Sequence, residues 1–141
     1  MDHVAIMNKS WQLIPKVISG EKKIESRWYQ TRRTPWGKIF KNDTVYFKNS
    51  GEMITAKAVV SWVMQFELKG LSDAQIIVDK YGKEICLVNN NIKSWGSAPK
   101  YCVLIKLSGA ELIKEPFQIN KKGFGCSAAW LTVNDISKIK I

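Results

Sequence analysis

The sequence predicts an α+β protein, namely a mixed and mainly antiparallel β-barrel with two or three flanking helices. Apolar side chains occupy eight successive even-numbered positions over residues 54–68, which predicts one long strand with these side chains on a single, less exposed face. A strand of that length is expected to bend, as strands of closed barrels do. Apolar residues at helical spacing over 74–88 predict a helix that covers one opening or flank. The 141 residues are expected to form one domain.

The N-terminal segment is predicted to hold a short strand and a short helix. Residues 3–7 form a brief apolar run suited to a strand, and Ser10 is expected to cap the helix that follows. Pro15 removes a backbone hydrogen bond, so the helix either bends there or begins just before the proline. Gly20 is expected to end the helix, because glycine readily adopts the left-handed conformation found there.

Two strands and a loop follow. Over residues 24–30 alternate side chains share a face, so Glu25 and Arg27 are expected to project together, and the opposite face is mostly apolar. The segment 31–41 contains turn formers and shows no steady periodicity, which predicts a functional loop. Alternation over 44–48 predicts the next strand.

The long helix has start and stop signals in the sequence. Ser72 and Gln75 have the spacing of a capping box at its N-terminus. Three consecutive asparagines at 89–91 are expected to stop it, so the helix is predicted to run through residue 88.

The remaining residues complete the predicted sheet. Side chains alternate from Tyr101 toward Ile113, and Pro116 is expected to break that strand. A basic, glycine-rich turn at 121–126 then leads into a last strand over 128–133.

The positive charge is concentrated in one stretch of the chain. The net charge is +10, and residues 16–48 hold nine Lys or Arg and three acidic residues, a net of six. Trp28, Tyr29 and Trp36 interrupt this stretch and offer surfaces on which bases stack. Together these features favour a polyanionic partner, either nucleic acid or a phosphorylated ligand. The alternative is that the charge only solvates the surface.

Cysteine and histidine content argues against a metal site or a disulfide framework. Cys86, Cys102 and Cys126 lack Cys-x-x-Cys spacing and are expected to be buried, reduced thiols, while His3, the one histidine, is expected to be structural or exposed to solvent. No cofactor is expected. Because there is neither a signal sequence nor a long apolar run, we expect a cytoplasmic protein that does not enter the membrane.

One motif suggests a family. Gly20, Lys22, Glu25 and Arg27 form the pattern Gly-x-Lys-x-x-Glu-x-Arg, which resembles the signature of the ASCH family, a branch of the PUA-like β-barrels. The segment 42–47 is similar to the Gly-Asp turn and strand of that family, with asparagine in place of the usual glycine. Asparagine tolerates the left-handed conformation well, so the turn is preserved. The resemblance covers nearly the whole chain.

The resemblance implies a cleft on the barrel that receives nucleic acid or a nucleotide, and RNA or a modified nucleotide is the expected ligand. Lys22, Glu25 and Arg27 would line it, because arginine binds phosphate or base edges, lysine supplies a point charge and a carboxylate accepts protons from an exocyclic amine. The alternative is a solvated strand face with a surface ion pair. Further candidate ligand-binding residues are Trp28, Arg32, Arg33, Trp36, Lys121, Lys122 and Trp130.

Two other functions remain open. Some ASCH proteins resemble amidohydrolases acting on acylated cytidine, and others have been linked to RNA cleavage. An enzyme of this kind would use Lys22 as base, with Glu25 and Glu67 as candidate catalytic carboxylates. However, Glu25 stands where the amidohydrolase branch carries a hydroxyl residue. ASCH domains also occur in transcription coactivators, so the third alternative is a protein-interaction adaptor. The sequence leaves the ligand and the oligomeric state open.

Overall fold

A computed structural model describes residues 1–125 and 127–141. The structure confirms the predicted α+β class. Its strands are β1 (Asp2–Met7), β2 (Ile24–Tyr29), β3 (Thr44–Asn49), β4 (Ile54–Glu67), β5 (Tyr101–Phe117) and β6 (Trp130–Val133). Its α-helices are α1 (Leu13–Ser19) and α2 (Leu71–Ile85), and short 3-10 helices cover Lys9–Trp11, Ile92–Trp95 and Ile136–Lys138. Within the described residues, no helix is both long and apolar enough to cross a membrane.

The strands form one curled sheet in the order β2-β5-β4-β3-β1-β6. β1 and β3 pair in parallel, and the other neighbouring strands pair antiparallel. β2 and β6 are therefore the two edges. The curl brings these edges close together. One hydrogen bond shows this: Nη1 of Arg27 in β2 donates to the carbonyl of Ala129, directly before β6, at 3.2 Å. We call the line along which β2 faces β1 and β6 the seam.

β4 has the predicted extent, but its apolar residues do not share one face. The even-numbered residues from Ala56 to Val60 pack inside the curl, whereas those from Trp62 to Phe66 pack on the outer face against α2. The register with β5 shifts between Val60 and Trp62. An extra residue in one strand turns the following side chains to the other face. The prediction of a single even-numbered face is therefore wrong beyond Val60.

α1 begins at Leu13, two residues before the proline, which agrees with the second of the two predicted alternatives. Pro15 lies in the first turn, where a backbone N–H would have no helical acceptor, so it costs no hydrogen bond. Gly20 ends the helix with φ of 84°, as predicted. The expectation that Ser10 is a cap is wrong. Asn8 caps the preceding 3-10 helix instead, and its side chain accepts from the N–H of Ser10 at 3.0 Å.

α2 starts one residue before Ser72, so the predicted capping box with Gln75 does not form. Asp73 instead accepts a hydrogen bond from the N–H of Lys69 at 2.8 Å. The helix ends at Ile85, because the next residue has a positive φ of 57°. The prediction that α2 runs through residue 88 is therefore wrong.

β5 continues past the predicted break at Pro116 and ends at Phe117. β2 pairs only with Tyr101–Lys106, so the later part of β5 is a free edge on that side. Proline is tolerated at such an edge, since the missing N–H takes no ladder bond away.

Candidate functional site

β2 and the turn before it position the residues of the motif. The positive φ of Gly20 lets the chain leave α1 and turn into β2. Ile24 and Trp28 then pack with α2 on the outer face, which directs Glu25 and Arg27 toward the seam. Asn42, which replaces the glycine usual in the Gly-Asp turn of the ASCH family, has φ of 76° and so adopts the left-handed conformation.

Lys22 is buried and connects the start of β2 to the end of α2. Its Nζ donates to the carbonyl oxygens of Ile24, at 2.9 Å, and of Ile85. Oε1 of Glu25 lies 3.8 Å from the same nitrogen. The ammonium is therefore held by two main-chain acceptors, with its remaining hydrogen available to Glu25 or to a ligand. Such a position differs from the solvated strand face considered above.

Glu25 is 4% exposed and has one unused oxygen. Oε1 accepts from the N–H of Ser26 at 3.0 Å. Oε2 lies 3.8 Å from Nη2 of Arg27, which is too far for a hydrogen bond, and it has no hydrogen-bond partner among the described residues. A buried carboxylate oxygen without a donor is costly, so this atom is a site for a hydrogen-bond donor from a ligand or water.

Arg27 spans the seam with most of its side chain buried. Besides the bond to Ala129, its guanidinium lies 5.0 Å from the ring centroid of Trp130, and Nη2 is 3.5 Å from Sδ of Met7. Its Nε is buried and has no acceptor among the residues described. The pair Glu25 and Arg27 thus leaves one acceptor and one donor unused.

A buried network supports Trp130 from behind. The indole Nε1 donates to Nδ1 of His3 at 3.1 Å, so Nε2 of the neutral imidazole carries the hydrogen that it donates to Asp43 at 2.8 Å. Burial lowers the pKa of His3, and this outweighs the raising effect of Asp43. Burial would raise the pKa of Asp43, but the hydrogen bonds from His3 and from the N–H of Phe40 leave that pKa lowered. His3 is thus structural, one of the two expected roles.

Two adjoining cavities, of about 250 and about 300 Å³, open at the motif. The first contains Lys22 and Cys86, and the second extends past Arg27 to Tyr29. We call them together the β2 cleft, and both are lined by Trp11, Leu13, Glu25, Ser26 and Trp28.

The walls of the β2 cleft are aromatic. Trp28 packs edge-on against Trp95, with ring centroids 5.0 Å apart. Trp11 lies on the 3-10 helix before α1 and is 48% exposed, which is high for so large an apolar side chain. Exposed aromatic rings of this kind offer a stacking surface to flat, aromatic groups.

Comparison with models of protein families finds no match, and comparison with curated proteins finds none either. Solved structures do. The chain superposes on the ASCH protein of Zymomonas mobilis with a TM-score of 0.68 and 14% sequence identity, over 94% of this chain and 87% of that one. A tyrosine-to-phenylalanine variant and a serine-to-alanine variant of that protein give TM-scores of 0.69, also at 14% identity. They cover 97% of this chain and 93% and 91% of theirs, respectively. The chain has an ASCH-type fold. At this identity the likeness concerns the fold alone.

Within the ASCH-type fold, sequence reasoning did not assign Trp11 and Trp95 to the site. Trp95 reaches the β2 cleft from the 3-10 helix after α2, about seventy residues from the motif, so no local pattern marks it. For Trp11 one signal was available, since its short turn precedes the helix that ends at Gly20, where the motif begins. Trp28, by contrast, was a candidate because of its neighbours in sequence. It lines the β2 cleft, although the alternation within β2 places it on the face opposite Glu25 and Arg27.

Cys86 also departs from expectation. It was predicted to be buried, but it is partly exposed and lines the β2 cleft. Cys102 is buried as predicted, and burial raises the pKa of its thiol. Cys126 lies outside the described residues. In the part of the chain that the structure describes, no three His, Cys, Asp or Glu side chains group closely enough to hold a metal ion.

Glu67, Arg32 and Trp36 form a separate cluster at the far end of β2. Arg32 pairs with Glu67 and lies over the rings of Trp36 and Tyr101, 5.8 and 5.5 Å from their centroids. Glu67 pairs with Tyr101 of β5, four residues before the partner of Glu25, which is about 13 Å along the strand. The structure thus does not bring Glu67 to Lys22, and Glu67 does not line the β2 cleft.

Arg33 lines a third cavity of about 200 Å³ beyond Tyr29, together with Trp130 and Phe124. The turn at Lys121 and Lys122 immediately precedes Phe124, whose N–H donates to the carbonyl of Lys121 at 3.1 Å. The two lysines therefore lie in the turn beside this cavity but do not line it.

Proposed function

We propose that this chain binds RNA or a nucleotide by placing a base in the β2 cleft, against Glu25. The observation that supports this proposal most directly is the unpartnered Oε2 of a carboxylate that is 4% exposed, at the wall of an aromatic cavity. Burying a charged oxygen without a donor is unfavourable, and a bound N–H group removes that cost.

The chemistry of a nucleobase matches the groups that the site leaves unused. Oε2 of Glu25 accepts from a ring or exocyclic N–H, and Nε of Arg27 donates to a neighbouring ring nitrogen or carbonyl. Trp11 and Trp28 offer stacking surfaces, each of which contributes about 1–3 kcal/mol per base in known complexes. Net positive charge around the motif favours the phosphates that accompany the base.

The hydrolase alternative rests on Lys22 and Glu25 lying 3.8 Å apart in the same cavity. A base and a carboxylate at this separation can act on one substrate. However, the second candidate carboxylate, Glu67, lies outside the β2 cleft. Binding is therefore the better supported function, and turnover becomes an outcome to measure.

Titration of the purified protein with labelled RNAs and with free and modified nucleosides tests the proposal. Glu25→Gln preserves the size of the side chain and removes its charge, and we expect it to weaken binding about tenfold. Trp11→Ala should weaken binding by about tenfold or more, because an exposed stacking surface is lost without disturbing the core.

Two variants outside the cleft serve as controls. Glu67→Gln removes an exposed carboxylate, and Phe40→Ala removes an aromatic ring that is 61% exposed, and neither should change affinity. Chromatography of the same mixtures detects turnover. No binding to any nucleotide, or equal losses in the control and cleft variants, would reject the base site. Product formation that Lys22→Met abolishes while binding persists would favour the hydrolase.

A further inference from the structure

The β2 cleft does not end at the motif but continues toward the other end of β2. Its second cavity reaches Tyr29, and Tyr29 is also a wall of the third cavity, which holds Arg33. The second and third cavities lie along the seam, since Met7 of β1 lines the second and Trp130 of β6 lines the third. β2 itself spans five residue steps, or about 17 Å. Stacked nucleotides in one strand rise about 3.4 Å each, so this groove is longer than one nucleotide.

The third cavity differs from the β2 cleft in charge. No acidic residue lines it within the described part of the chain. Arg33 is exposed, its guanidinium lies 5.8 Å from the ring centroid of Tyr29, and no ion pair involves it among the described residues. Arg32, its neighbour in sequence, is by contrast paired with Glu67. Of the two adjacent arginines, Arg33 is therefore the one available to an anion.

Other groups of the third cavity suit a phosphate and the base next to it. Thr34 carries a hydroxyl, and the carbonyl of Thr34 accepts a hydrogen bond from the phenol of Tyr29 at 3.0 Å, which fixes the loop against β2. Phe124 and Tyr29 supply ring surfaces. At the other end of the groove the carboxylate of Glu25 repels phosphate and accepts from N–H groups. A single strand of RNA bound along the groove would therefore place a base at Glu25 and the following phosphate at Arg33.

We propose that the third cavity is a second subsite, for the phosphate and base that follow the nucleotide bound at Glu25. The ligand is then a single strand of RNA with at least two nucleotides rather than a free nucleotide. This inference rests on the proposed function, because it takes the base at Glu25 as its starting point.

The test compares ligand lengths with fluorescein-labelled single-stranded RNA octamers of each base and the matching nucleoside 5′-monophosphates as competitors. We expect the octamer of the preferred base to bind at least about tenfold more tightly than its monophosphate. Arg33→Gln should remove most of that difference and leave the affinity for the monophosphate unchanged. It should also make the slope of log affinity against log salt less negative by about 0.7, the value for one phosphate contact on a single strand.

Arg32→Gln is the matched control, since it removes the neighbouring arginine, which is already paired, and it should leave the length dependence intact. Equal affinity for octamer and monophosphate would overturn the second subsite, as would an Arg33→Gln variant that weakens both ligands equally. An RNA duplex that binds as tightly as the single strand would overturn it too. If Glu25→Gln still weakens monophosphate binding, the base site stands without the second subsite. If only Arg33→Gln has an effect, the second subsite stands and the placement of the base at Glu25 is wrong.

Discussion

Two glutamate–arginine pairs lie near opposite ends of β2, and they differ in burial and in contact. Glu25 and Arg27 have side chains that are 5% and 13% exposed, yet their nearest charged atoms are 3.8 Å apart. Glu67 and Arg32 are 63% and 58% exposed and are in direct hydrogen-bonding contact. The exposed pair thus uses its hydrogen-bonding groups on itself, whereas the buried pair, whose residues line the β2 cleft, retains unused groups.

The difference distinguishes a surface contact from the proposed binding site. An exposed pair gains little from its contact, since water and salt screen it. A buried pair with incomplete hydrogen bonds carries a desolvation cost that only a further partner removes. Contact distance alone would select the exposed pair as the more important one, whereas burial selects Glu25 and Arg27. We regard burial together with unused hydrogen-bonding atoms as the better indicator of function.

The largest expected effect concerns Arg27. Arg27→Met leaves the buried carboxylate of Glu25 without its nearest guanidinium and removes the bond across the seam to Ala129. Removing one member of a buried pair typically costs about 3–5 kcal/mol, so the free energy of unfolding should fall by about that amount. Urea denaturation measures it. A loss no greater than that of the Arg32→Met variant would show that the two pairs are energetically alike.

A second prediction concerns pH. Arg27 of the buried pair lies over Trp130, which is hydrogen-bonded to the titratable His3, whereas the exposed pair has no such contact among the described residues. The pKa of His3 is lowered from 6.5, so the folded state favours the neutral imidazole while the unfolded chain takes up a proton below about pH 6.5. Stability is thus fully present above that pH and falls below it, by up to about 1.4 kcal/mol per pH unit. The pKa of Asp43 is also lowered, from 3.8, which adds a second loss below about pH 4.

His3→Gln tests this assignment, because glutamine keeps a hydrogen-bond donor and acceptor and does not titrate. Denaturation at pH 7, 6 and 5 should show a steep decline for the parent and a flatter one for the variant. As the chain has one histidine, a parallel decline in both proteins would place the pH dependence elsewhere.

A third and smaller effect is the coupling within each pair. A double-mutant cycle of Glu25→Gln and Arg27→Met should give a coupling free energy of about 1 kcal/mol, since the two groups share one buried environment. The equivalent cycle for Glu67 and Arg32 should give no measurable coupling. Similar values from both cycles would remove the distinction between the pairs.

The smallest expected effect on stability is that of substitutions in the exposed pair. Arg32→Met and Glu67→Gln should leave the urea midpoint unchanged within error, because both side chains are mostly exposed. A clear drop in midpoint for Arg32→Met would indicate that its stacking on Trp36 and Tyr101 supports the loop after β2.

The sequence allowed the sheet and the joint projection of Glu25 and Arg27 to be predicted, because strand periodicity depends on local geometry. It did not reveal the bulge in β4, since apolar residues lie on both sides of the register shift and either face is buried. The burial of Glu25 was equally hidden. It depends on the closing of β2 against β1 and the chain before β6, which are distant in sequence.

The position of β1 between β3 and β6 affects the order in which parts of the molecule can fold during synthesis. β1 covers Asp2–Met7, and it pairs with Trp130–Val133, which are synthesised much later. The indole beneath Arg27 belongs to that late strand. A nascent chain can therefore build β3, β4 and β5 early, but it cannot support Arg27 at the β2 cleft until synthesis has passed residue 130.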